Sequence, residues 1–88
     1  MAQYVIKFDK RFIKLLEKIP VQFRTKIKEA IEELKSNPRP QGFIKLKGQN
    51  NLNRIRIGDY RVVYEIHDNI LIILLIIIGH RKDVYKDL

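Results

Sequence analysis

Arg54-Ile55-Arg56-Ile57-Gly58-Asp59-Tyr60-Arg61-Val62-Val63-Tyr64-Glu65 is the stretch that decides the fold. It reads as two alternating strands joined by a two-residue turn. Glycine first in such a loop takes the positive φ that tight hairpin turns require. With Gly58-Asp59 as the loop, Ile57 faces Tyr60, Arg56 faces Arg61, Ile55 faces Val62 and Arg54 faces Val63. Opposed residues share a face and faces alternate along a strand. Ile55, Ile57, Tyr60, Val62 and Tyr64 therefore line a core side, while Arg54, Arg56 and Arg61 gather on the other. Like charges opposed across a hairpin destabilise it. Three guanidiniums on one sheet face predict an anion bound there.

Outward from the hairpin, the chain reads as one domain spanning residues 1–88, long enough for a single modest core. Gln3 to Phe8 alternates as a first strand, and Asp9 is placed to cap a helix. Phe12, Leu15, Leu16 and Ile19 then fall on one helical stripe. Pro20 cannot continue that helix but suits the start of the next. Phe23, Ile27, Ala30, Ile31 and Leu34 stripe this second helix, which Asn37-Pro38 closes. Phe43 to Lys47 alternates again, with Lys45 and Lys47 opposite Ile44 and Leu46, and Gly48-Gln49-Asn50-Asn51 is a turn.

After the hairpin, Asp68-Asn69 predicts a second tight turn, and Ile70 to Ile78 is apolar throughout. That run is about half the length a membrane helix needs, so it is a strand, and the centre of the sheet. Its odd positions are expected to face the helices. Its even positions would join the arginines on a face that nothing else in the chain covers, which predicts a protein partner there. The fold class is α+β: an N-terminal strand, a two-helix hairpin, then a four-stranded antiparallel meander.

The net charge is +8, which favours nucleic acid or an acidic partner. There is no cysteine, so disulfides, thiolate nucleophiles and cysteine zinc sites are excluded. No His/Asp/Glu grouping has metal-ligand spacing, so neither a metal nor another cofactor is expected. No signal peptide and no membrane segment are evident, and a cytoplasmic location is expected.

Lys45–Gly48 (KLKG), Arg54–Ile66 (RIRIGDYRVVYEI) and Gly79–Tyr85 (GHRKDVY) together resemble the RelE/ParE superfamily of toxin–antitoxin toxins, most closely its RelE branch. The resemblance spans nearly the whole chain. It implies a ribosome-dependent, metal-independent messenger-RNA endonuclease acting in the ribosomal A site, neutralised by an acidic antitoxin that wraps around it. It also implies operator DNA as a target only through the antitoxin complex. In such cleavage the substrate's 2′-hydroxyl attacks the phosphate and leaves a cyclic phosphate.

By the same resemblance, Arg61 and Arg81 match the family's phosphate-contacting arginines, a use that suits the guanidinium fork. Without it, a surface arginine paired with Glu65 or Asp59 is the plain alternative for Arg61, and an ordinary residue after a strand end for Arg81. Arg54 and Arg56 stand where the best-known member has lysines, one of them proposed as a base. A guanidinium stays protonated near neutral pH, so here these two would bind phosphate and steady charge. His80 is then the candidate for proton transfer, because histidine titrates near neutrality; a structural histidine is the alternative. Tyr85 matches a terminal tyrosine that stacks on a base or assists proton transfer, at a shorter spacing from Arg81, and a tail anchor remains equally open. Lys45 and Lys47 would track RNA phosphates along the next strand, or simply be solvated.

Two other functions share these features. The ParE branch inhibits DNA gyrase without cutting RNA and often keeps an R-x-R-x-G-x-x-R hairpin, although the His-Arg-x-x-Val-Tyr tail favours RelE. A non-enzymatic basic module that only binds nucleic acid or protein is the other alternative.

Overall fold

The hairpin forms in the register expected, with Ile57 opposite Tyr60, Arg56 opposite Arg61, Ile55 opposite Val62 and Arg54 opposite Val63. Gly58 takes φ 60° at its turn. The computed structural model describes residues 3–48, 51–81 and 84. Their elements run β1 (Val5–Phe8), α1 (Lys10–Glu17), α2 (Val21–Leu34), β2 (Ile44–Lys45), β3 (Leu52–Ile57), β4 (Tyr60–His67) and β5 (Ile72–His80). The sheet order is β1-β5-β4-β3-β2. β2 to β5 form the antiparallel meander, and β1 adds parallel to β5. The α+β architecture is as the alternation predicted, but the central strand is β4 and not the all-apolar β5, which lies between β4 and the edge strand β1.

The helices form where the sequence places them. The Asp9 carboxylate accepts the Arg11 backbone N–H at 2.9 Å and caps α1. Pro20 stands as the N-cap of α2. The apolar stripes of both helices, through Phe12, Ile19, Ile27, Ile31 and Leu34, pack on Ile55, Val62, Tyr64, Ile73, Leu75 and Ile78 of the sheet. The Tyr64 hydroxyl is satisfied inside this core, donating to the Pro38 carbonyl at 2.7 Å.

Three further expectations for the last strand need correction. The connection after β4 is not a tight Asp68-Asn69 turn: it spans 68–71, with Leu71 at φ 55° and Ile70 60% exposed. β5 therefore starts at Ile72, and it runs through Gly79 to His80. The alternation of faces also breaks, because a bulge between Val63 and Tyr64 shifts the register, pairing Val63 with Ile77 but Tyr64 with Leu75. One extra residue on the bulged strand inverts side-chain parity beyond it. Ile73 and Leu75 face the helices as expected, while Ile77 joins the arginine face and Ile78 the helical core.

The arginine face is also not bare. Leu52, Val63, Ile76 and Ile77 form a second cluster there with Val84 of the tail, all at most 8% exposed. Its cover comes from the chain itself. Exposed apolar side chains remain at its margins, Ile44 opposite Arg54 on β2 and Val5 opposite Ile72 on the edge strand β1, while Phe8 of β1 is exposed on the helical side.

Candidate functional site

The site is built at the end of the sheet where the β3–β4 turn meets the last residues of β5. Tyr60 pairs with His80 and Arg61 with Gly79, so the bulge fixes which side chains arrive at the turn. Gly79 lies beside Arg61 on the open face. A Cβ there would come within 3.1 Å of the Val84 Cα, so the tail can cross the sheet closely only because the position is glycine. His80 lies on the opposite face, its ring 5.4 Å edge-on from Tyr60, and Tyr60 in turn lies 5.6 Å from Phe23 of α2. His80 thus does not share the arginine face, as plain alternation would have it; its Nε2 reaches the turn around the sheet's end.

Arg81 follows immediately in the left-handed region, φ 49°, where a side chain with a Cβ is strained. What holds it is Asp59. The Asp59 carbonyl accepts the Arg81 backbone N–H at 2.7 Å and Arg61 Nη1 at 3.5 Å. Its carboxylate lies 3.5 Å from Arg81 Nε and 3.8 Å from His80 Nε2. Three of the residues singled out by sequence, Arg61, His80 and Arg81, are thereby gathered around a fourth that was considered only as a plain pairing partner. Its signal was a carboxylate set in the turn between arginines. Glu65, the other such partner considered for Arg61, instead bonds His67 at 2.8 Å.

Arg56 is exposed and directly opposite Arg61 on the same face. Arg54 lies further along that face, between Ile44 and Val63 in register. It is only 6% exposed, and its Nε has no hydrogen-bond partner among the described residues. A buried N–H without a partner is costly, so Arg54 Nε is a donor still to be satisfied. Lys45 does not join this set. It pairs with Asn53, which pairs with Tyr64 of the helical core, so Lys45 projects to the opposite face. There it lines a hollow with Arg39, Asn53 and Asp68. Lys47 is exposed in the turn after β2. The apolar Ile44 and Leu46 occupy the arginine side instead. Tyr85 lies outside the described residues.

The arrangement can do one kind of chemistry directly. Arg56 and Arg61, with Arg81 at the same end, present charge-assisted donors to an anion of phosphate geometry. Among the described residues no group of three or more His, Asp or Glu side chains is placed to hold a metal, and no helix is long and apolar enough to cross a membrane.

Comparison with known proteins bears on the family and the fold. The family described as the ParE toxin of the type II toxin–antitoxin system, parDE, matches residues 6–85. Toxin RelE3 of Methanocaldococcus jannaschii is 34% identical over 84 residues, which cover 91% of this chain and 93% of that protein. The mRNA interferase toxin RelE of Escherichia coli K12 is 28% identical, covering 96% and 92%. Among solved structures, the archaeal RelE–RelB complex from Pyrococcus horikoshii OT3 superposes with a TM-score of 0.80 at 30% identity, covering 93% of this chain and 98% of that one. The match over most of the chain, in sequence and in fold, makes this protein a member of the RelE/ParE superfamily of toxins of type II toxin–antitoxin systems.

Proposed function

We propose that this toxin is a messenger-RNA endonuclease that works on translating ribosomes and is neutralised by an acidic antitoxin. The observation that supports it best is the grouping of Arg56, Arg61 and Arg81 at one sheet end, with Arg54 buried further along the same face, its Nε without a partner among the described residues. The substrate would be an RNA phosphate whose own 2′-hydroxyl attacks, giving a 2′,3′-cyclic phosphate and a free 5′-hydroxyl. Arg61 and Arg81 would hold the non-bridging oxygens, and Arg54 and Arg56 would offset the charge that grows on the phosphorane. His80 packs on the opposite face, but its Nε2 lies 3.8 Å from the Asp59 carboxylate at the sheet's end, and it would be the imidazole to exchange a proton at the leaving or attacking oxygen of a phosphate bound there. The relative from Escherichia coli carries the name mRNA interferase, which supports the same chemistry.

The antitoxin reading draws on the complexes of relatives with RelB and on the +8 charge of this chain. Since Val84 covers part of the arginine face, an apolar surface available to a partner is the groove of about 700 Å³ along β1, lined by Val5, Ile6, Phe8, Leu16 and Ile31. An apolar, acidic segment would fill it and meet Lys28 at its rim, where Lys35 is already paired with Glu32 at 2.7 Å.

Arg61→Ala tests the catalytic reading. On induced expression it should abolish growth arrest and lower cleavage of ribosome-bound message by about 10²–10³-fold, while still copurifying with the antitoxin. Equal toxicity in this variant would sink the assignment. The ParE family match keeps one rival. Primer extension on an in vitro translation reaction separates them: codon-proximal cuts support the ribonuclease, whereas intact message with gyrase-linked DNA breaks supports gyrase inhibition. Binding without either outcome would leave a non-enzymatic basic module.

A further inference from the structure

We infer that Asp59 is a positioning residue that assembles the phosphate-binding guanidiniums; its effect on rate rests on the ribonuclease reading above. Asp59 is second in a Gly-Asp turn, a place where asparagine, serine or glycine serves equally well. The turn therefore does not call for a carboxylate. Neither does anion binding, because a carboxylate among guanidiniums repels phosphate. Yet Asp59 touches the working groups from both sides of the sheet: Arg61 and Arg81 through its carbonyl, Arg81 and His80 through its carboxylate.

Arg81 depends most on this contact. Its backbone is in the left-handed region and its side chain is 66% exposed, and the ion pair that the described residues give it is with Asp59. Arg56 and Arg61 already face each other, so a third cation drawn to the same end is repelled unless a negative charge sits among them. The carboxylate supplies that charge before substrate arrives. Exposed ion pairs are weak, so an incoming phosphate displaces it from Arg81 without much loss. Orientation, by contrast, is worth orders of magnitude in rate. The same side chain should therefore weaken ground-state binding and raise turnover.

Asp59→Asn keeps the size and the turn, and Asp59→Glu keeps the charge. With the full-length chain, ribosomes and message, Asp59→Asn should lower kcat by about tenfold or more. It should also lower KM, because the competing charge is gone. Asp59→Glu should recover most of the turnover, with thermal unfolding similar in all three proteins. An unchanged kcat in Asp59→Asn overturns the proposal, as does a fall in kcat shared by Asp59→Glu and tracking a loss of melting temperature. A second readout needs no cleavage. The Arg81 Nε–Hε resonance of the free chain should lose dispersion and exchange faster with water in Asp59→Asn. If the wild type cuts no message but this resonance responds, the ribonuclease reading fails and the positioning role stands. If the resonance is unchanged, Asp59 does not hold Arg81 and the proposal fails.

Discussion

Gly58 holds its turn at φ 60°, and a Cβ added there would meet nothing within 4 Å. Any cost of substitution is thus one of backbone conformation rather than of packing. Gly58→Ala should lose about 1–2 kcal/mol in chemical denaturation, and Gly58→Asn less, since asparagine tolerates the left-handed region. Both should loosen Asp59 and with it Arg81, so activity should fall further than stability explains. The arginines of this hairpin were legible residue by residue, because a Gly-Asp turn fixes the register of Arg54, Arg56 and Arg61 through local chemistry alone. The burial of Arg54 was not. It depends on Ile44 and Val63 arriving on either side from other strands, and no spacing within Arg54–Glu65 encodes that.

At the level of elements, the helices were readable because Asp9, Pro20 and two apolar stripes mark their ends and faces. β5 was readable as a strand but not in its facing, because alternation carries no information in a run where every residue is apolar. The bulge opposite Val63 and Tyr64 then decides which of Ile76, Ile77 and Ile78 turns inward. It also sends His80 to one side of the sheet and leaves Gly79 beside Arg61 on the other. That glycine ties element to tail: Val84 Cα and Cβ would lie 3.1 and 3.2 Å from a new methyl group. Gly79→Ala should lift Val84 from Val63 and Ile77 and cost about 1–3 kcal/mol by overpacking. Urea denaturation measures the loss, and limited proteolysis should cut beyond residue 80 faster than in the wild type. A variant with wild-type stability and protection would mean that the tail yields freely.

On the scale of the whole molecule, contacts between distant segments close the fold and set its response to pH. Asp68, in the 68–71 loop, accepts from the Tyr4 hydroxyl at 2.6 Å and from Arg39 Nη2 at 2.7 Å, joining the start of β1 and the segment after α2. The hydrogen bond from Arg39, and then that from Tyr4, hold the Asp68 carboxyl below its ordinary 3.8. A carboxyl depressed on folding contributes stability that is present above its unfolded pKa and lost as pH falls through the folded one. That loss belongs to the acid side, where a chain of net charge +8 also gains positive charge.

Tyr64 acts on the alkaline side. Burial pushes its phenol up from 10 to about 12, so its contribution is complete below pH 10 and disappears as pH rises through about 12. The full span corresponds to roughly 2–3 kcal/mol. Tyr64→Phe should remove this alkaline loss and cost about 1–2 kcal/mol near neutrality, by stranding the buried Pro38 carbonyl. Asp68→Asn should reduce the acid limb and also let the Tyr4 phenol, which Asp68 holds above its ordinary value, titrate lower. Arg39 links the two limbs, because its charge lowers both groups. In Arg39→Gln the acid dependence should shrink while the Tyr64 titration moves still higher. Denaturation curves from acid to alkaline pH, with tyrosinate absorbance followed alongside, check each part. Identical pH profiles in wild type and Arg39→Gln would show that these segments are closed by packing alone.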